Sequence, residues 1–202
     1  EAVKVTKASG IRFTAVSREG VVADVFDADG RLIAHEIDDG KRYRDLLLKA
    51  RAARPLGAAV HPYTAKEFEA FRLFVSPDGK RGIAVQPSGE GGSLFAFPGA
   101  GGSSAEMLAI SRAAGAVKSD AFDVGLPDMY ARYGDRAVAR IPWDEAYAPD
   151  GWNYTAAAKF NGGRPDKVFF AYDPERVLGE FSDYTHDIKP GLSYSRSYDE
   201  AK

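Results

Sequence analysis

Cysteine is absent from the 202 residues, and histidine occurs only three times. Without cysteine there is no disulfide scaffold, no zinc–thiolate site and no thiol nucleophile. His35, His61 and His186 stand far apart with no metal-ligand spacing, so no metal site is expected. An excess of one charge is lacking too: 27 Lys+Arg against 29 Asp+Glu leave a formal net charge of -2. That balance gives no global attraction to nucleic acid or to an anionic membrane. No apolar run approaches the ~20 residues that span a bilayer, and no signal-peptide pattern leads the chain. No membrane partner and a cytoplasmic location are therefore expected. A start on Glu1 rather than Met is what a processed, trimmed or excised piece would show. What is present is 45% hydrophobic and 12% aromatic residues, enough for the core of one domain of ordinary size with an appendage.

The first stretch reads as β structure. Val21–Phe26 and Arg31–Ile37 flank Asp27-Ala28-Asp29-Gly30, a hairpin turn sequence. From Arg42 to Arg54, Tyr43, Leu46, Leu47 and Ala50 recur at helical spacing until Pro55 stops the helix. Thr64-Ala65-Lys66-Glu67 is a capping box that announces a second, short helix with Phe68 and Phe71 on its buried side. Strands follow at Arg72–Ser76, Arg81–Gln86 and Ser93–Phe97, the first two joined by Pro77-Asp78-Gly79-Lys80, whose residues each favour a turn. Short connections between three strands predict an antiparallel meander. Beyond it the pattern predicts a helix over Ala105–Ala114 with Gly115 past its end, and a strand over Val117–Phe122. A helix led by Leu126-Pro127-Asp128 and strands at Ala137–Ile141 and Lys167–Tyr172 complete the pattern. The polar, Tyr- and Ser-rich stretch after Pro174 reads as an extension that is partly ordered at best. Three segments result: 1–62, hairpin and amphipathic helix; 63–174, core; 175–202, extension.

The chemically informative segment is Pro98-Gly99-Ala100-Gly101-Gly102-Ser103-Ser104, between a strand and a helix. Backbone N–H groups of such a turn and of a helix N-terminus form a concave positive site for phosphate, and two serines add donors or a cap. The competing reading is a flexible turn with a good N-cap. The turn lacks the Lys-Ser/Thr ending of a nucleotide-hydrolysing loop, and a meander precedes it where a dinucleotide fingerprint needs a βαβ unit. Gly102-Ser103-Ser104 lacks the closing glycine of a hydrolase elbow. Both tryptophans fall in the connection Trp143–Tyr154, read either as an acidic aromatic rim or, preferentially, as a loop packed over the sheet. The Arg42–Arg54 helix face, with Lys41, Arg42, Arg44, Lys49, Arg51 and Arg54, reads as a solvated surface and is the one candidate contact for nucleic acid.

A meander, a strand, a glycine turn, a helix, another strand and a helix holding Tyr130-Ala131-Arg132-Tyr133-Gly134 resemble the GNAT superfamily of acyl-CoA-dependent N-acetyltransferases. The resemblance runs from about Thr64 to Tyr172. The Asp123–Arg140 stretch also looks like acetyltransferase-like domains of bacteriophage and mobile-element proteins. It implies an α+β fold: a mixed, mostly antiparallel central sheet with helices on both faces. It implies acetyl-CoA as co-substrate, with pantetheine paired along the strand of Leu94, Phe95, Ala96 and Phe97. The diphosphate would lie on Gly99, Ala100, Gly101, Gly102, Ser103 and Ser104. The acceptor would be an amine of unknown class, attacked directly and without a covalent enzyme intermediate. The tetrahedral oxyanion would be met by backbone amides around Leu94–Phe97, and the departing thiolate would take its proton from Tyr130. Tyr130 equally fits a half-buried core position. Glu90, Asp120 and Asp123 are candidate bases with no spacing that singles one out. The alternative to an enzyme is a non-catalytic accessory module of a larger phage or mobile-element protein.

Overall fold

The computed structural model describes residues 10–101, 104–174 and 184–202. Two compact units divide at Val117/Lys118. The first holds strands β1 (Arg12–Arg18), β2 (Val21–Phe26), β3 (Leu32–Ile37), β4 (Arg72–Val75), β5 (Arg81–Val85) and β6 (Gly91–Ala96) in one sheet of order β1-β2-β3-β4-β5-β6. Every pairing in it is antiparallel, as short connections dictate. β3 and β4 are neighbours, so the hairpin segment and the meander share one sheet across the expected boundary near residue 62.

Helix α1 (Gly40–Ala52) starts where the Asp39 carboxylate accepts the Arg42 amide, and Pro55 stands beyond its end. Helix α2 (Ala65–Glu69) carries the full capping box, with Thr64 and Glu67 bonded reciprocally. Those bonds hold the Glu67 carboxyl below its ordinary range. Tyr43 and Leu47 of α1 and Phe68 of α2 are fully buried against Leu73, Val75, Ala84 and Phe95. Side chains alternate between the faces of a strand, so Arg81 points away from that cluster. There it meets Glu106 of helix α3 (Ser104–Ala113), Nη1 to Oε2 at 3.1 Å. Helices thus cover both faces of this sheet.

The second unit holds β7 (Lys118–Phe122), helix α4 (Leu126–Arg132), β8 (Asp135–Ile141) and β9 (Lys167–Tyr172), with β9 between the other two strands. Both pairings are again antiparallel. The expected single mixed sheet is therefore replaced by two antiparallel sheets, and the α+β class stands. The physical reason lies in α3, the connection able to set two strands parallel. It leads from β6 to a strand whose hydrogen-bonded partner is β9.

Tyr184–Lys202 belongs to the second unit. It includes helix α5 (Tyr198–Ala201), and Tyr184 is fully buried. The preferred packed reading of the tryptophan connection also holds. Trp152 is buried, its indole N–H donates to the Gly163 carbonyl at 2.9 Å, and its ring lies 5.0 Å from that of Trp143.

Candidate functional site

β6 is an edge strand of its sheet. Its ladder with β5 slips: Gly82 faces Phe95 and Ala84 faces Gly92, so Ser93 and Leu94 together oppose Ile83. This is a β-bulge, a device that re-aims backbone groups beside functional sites. Ser93 carries it with φ +48°, in the left-handed region that a serine rarely adopts. A buried phenol holds the distortion in place: Tyr43 Oη donates to the Ser93 carbonyl at 2.8 Å. Tyr43 reads from sequence as a core residue of α1; its hydroxyl also braces β6. Burial pushes the Tyr43 phenol well above its ordinary range, so it stays a donor.

Past the bulge the ladder resumes, and the Phe97 amide donates to the Lys80 carbonyl at 2.9 Å. In an antiparallel ladder, alternate residues turn their N–H and C=O to opposite sides. Phe95 and Phe97 therefore bond inward and Ala96 turns outward. The Ala96 carbonyl is taken on that side by Arg54 Nε at 2.6 Å. Phe95 is a core residue, its ring 5.4 Å from that of Tyr43, and Phe97 packs at the margin of the same cluster.

The chain then turns. Pro98 and Gly99 occupy the centre of a reverse turn, with Gly99 at φ +71° and the Ala100 amide donating to the Phe97 carbonyl at 3.1 Å. Proline first and a positive-φ glycine second are what a type II turn requires. The Ala100 amide is thereby used within the turn, while Gly101 is exposed. Gly102 and Ser103 lie outside the described residues, and Ser104 opens α3 half-buried. The carboxylate in the first turn of α3, Glu106, is held by Arg81 and Arg31.

Tyr130, in the second unit, lies on α4. It is 5% exposed, and its ring is stacked on Phe170 at 5.1 Å with 17° between the planes. The geometry makes it a core residue of that unit. Gly134 follows with φ +100° at the helix end. Of the three carboxylates considered as bases, Asp120 meets Lys167 at 3.1 Å and the Tyr198 hydroxyl at 3.1 Å. Asp123 is paired with Lys189. Glu90 is buried in the first unit, beside the start of β6.

The basic face of α1 is partly committed. Lys41 pairs with Asp45 at 2.7 Å, Arg44 Nε donates to the Tyr63 carbonyl, and Arg51 Nε donates to the Gly57 carbonyl. Among the described residues no cluster of three His, Asp or Glu could hold a metal ion, and no helix is long and apolar enough to cross a membrane. Sequence reasoning did not identify Tyr43 as the brace or Arg54 as a strand-end group. Tyr43 lies on α1 and Arg54 two residues past it, forty to fifty residues before the strand they contact, and nothing local marks such a contact. Comparison with protein-family models, curated proteins and solved structures finds no match to this chain.

Proposed function

We propose that this chain moves an acetyl group from acetyl-CoA to an amine, the pantetheine arm lying along the open edge of β6 as an added strand. The observation that carries the reading is the bulged edge strand with its Tyr43 brace. Among the described residues no strand pairs with the outer edge of β6, whose Ser93 and Ala96 carbonyls are taken by Tyr43 and Arg54. It is chiefly the outward amides that an extended amide-bearing chain would meet there, the chemistry of β-augmentation. The order of elements β4–β6, α3, β7 and α4 supports the reading, since it is the order on which the GNAT-like resemblance rests. In the reaction, the neutral amine nitrogen attacks the thioester carbonyl carbon. Outward amides of the bulged strand then stabilise the oxyanion. As the C–S bond breaks, the thiolate takes a proton from a general acid or solvent, and the new amide nitrogen loses one to solvent or a base.

A second reading, a non-catalytic accessory module, is favoured by two observations. The Ala100 amide is consumed within its own turn, and the Tyr130 ring is packed on Phe170. Calorimetric and thermal-shift titration with acetyl-CoA separates the two. A ligand that binds only the native state stabilises it by about 2.7 kcal/mol at a hundredfold excess over Kd. The transferase predicts saturable stabilisation that disappears in Gly101→Glu. A Cβ at Gly101 meets open space, so this variant adds a carboxylate beside the diphosphate without a clash. No shift at millimolar acetyl-CoA selects the accessory module.

A further inference from the structure

The stretch from Phe97 to Ala105 contains no charged residue. The nearest acid along the chain, Glu106, is neutralised by Arg31 and Arg81. Charge reaches the turn from elsewhere in the sequence. Arg54, two residues past α1, donates from Nε to the Ala96 carbonyl at 2.6 Å and from Nη2 to the Phe97 carbonyl at 3.3 Å. Its own backbone is pinned on both sides: its amide donates to the Arg51 carbonyl and its carbonyl accepts the Gly57 amide. Pro55 further restricts its conformation.

The guanidinium is exposed, and no carboxylate among the described residues pairs with it. Main-chain carbonyls orient an arginine without cancelling its charge. Most of the fork's donors, including all of Nη1, remain for a second acceptor. A pre-oriented, uncompensated guanidinium at the end of an open strand, just before a turn without cations, suits a phosphate oxygen.

We propose that Arg54 is the positioning residue that recognises the phosphate-bearing end of the acyl carrier and sets its register along β6. This rests on the acetyl-CoA reading above. The carrier class it selects is a pantetheine thioester bearing a diphosphate, in preference to the bare pantetheine arm.

The test is calorimetric titration of the whole chain with CoA and with pantetheine, in wild type, Arg54→Gln and Arg54→Lys. Glutamine keeps a donor for the carbonyls and loses the charge; lysine keeps the charge and loses the fork. The expected result is wild-type preference for CoA, a roughly tenfold loss of CoA affinity in Arg54→Gln with pantetheine affinity little changed, and partial rescue in Arg54→Lys. A steeper salt dependence of CoA binding in wild type than in Arg54→Gln accompanies it. If the variants weaken both ligands in parallel, Arg54 only braces the strand and the inference fails while the acetyl-CoA reading stands. Equal wild-type affinity for the two ligands, or unchanged CoA affinity in Arg54→Gln, overturns it in the same way. If wild type binds neither ligand, the acetyl-CoA reading falls and takes this inference with it.

Discussion

At the scale of single residues, Tyr43 has the most to do. Its ring fills the core under β6, and its hydroxyl satisfies the carbonyl of a serine held in a rare conformation. Tyr43→Phe keeps the ring and deletes the bond, so it should cost about 1–2 kcal/mol in denaturant unfolding, because the Ser93 carbonyl is left without its donor. The phenol also makes stability depend on pH. Its folded pKa is raised well above the ordinary 10.0, so its contribution is complete below pH 10. As pH rises further the unfolded chain ionises first, and stability falls by up to about 1.4 kcal/mol per pH unit. Tyr43→Phe should lose that part of the alkaline slope; a slope identical to wild type refutes the account. The helical spacing of Tyr43, Leu46, Leu47 and Ala50 made its burial legible. The hydroxyl's partner was not, because it is fifty residues away and sits in a bulge that breaks strand periodicity.

Bulges also explain which elements the sequence hides. β1 was not foreseen, and it has one between Ala15 and Arg18. Its half-buried residues Phe13 and Val16 are three apart, where an alternating pattern would set them two apart. Elements bounded by strong local chemistry were legible: the capping box of α2, the proline-led α4 and the glycine after α3 lie where their residues predict. Close packing between elements left a fainter trace. β5 approaches the Phe95 ring so tightly that a Cβ on Gly82 would lie 2.3 Å from Phe95 Cε1 and 2.9 Å from the Phe74 carbonyl oxygen. The second neighbour is backbone and cannot swing away. Gly82→Ala should therefore destabilise the first unit by roughly 1–3 kcal/mol, as overpacking does. Because Phe95 belongs to β6, it should also weaken CoA binding if the strand edge is the carrier's seat. Wild-type stability in this variant would show that β5 and β6 tolerate separation.

At the scale of the whole molecule, composition misleads most about the end of the chain. Polar, Tyr- and Ser-rich sequence with weak periodicity reads as an extension, yet Tyr184–Lys202 is part of the second unit and buries Tyr184 and Ala201 there. Its anchors are single side chains reaching three acids and one aromatic ring of that unit. Lys189 meets Asp123, Thr185 meets Asp128, the Tyr194 hydroxyl meets Asp166 at 2.8 Å, and Tyr198 sets its ring edge on Phe169. One anchor per turn leaves no helical or strand period to detect. The largest is Tyr184, fully buried, and its hydroxyl finds no hydrogen-bond partner among the described residues. Ring and hydroxyl should therefore act with opposite sign. Tyr184→Ala removes the buried ring and should cost about 3 kcal/mol in denaturant unfolding of the second unit, the lower end for emptying an aromatic site. Tyr184→Phe removes only a desolvated hydroxyl that earns no bond, and it should be neutral or stabilising by up to about 1 kcal/mol. A segment that merely drapes over the surface would make both substitutions silent. A hydroxyl bonded in solution would make the phenylalanine variant destabilising.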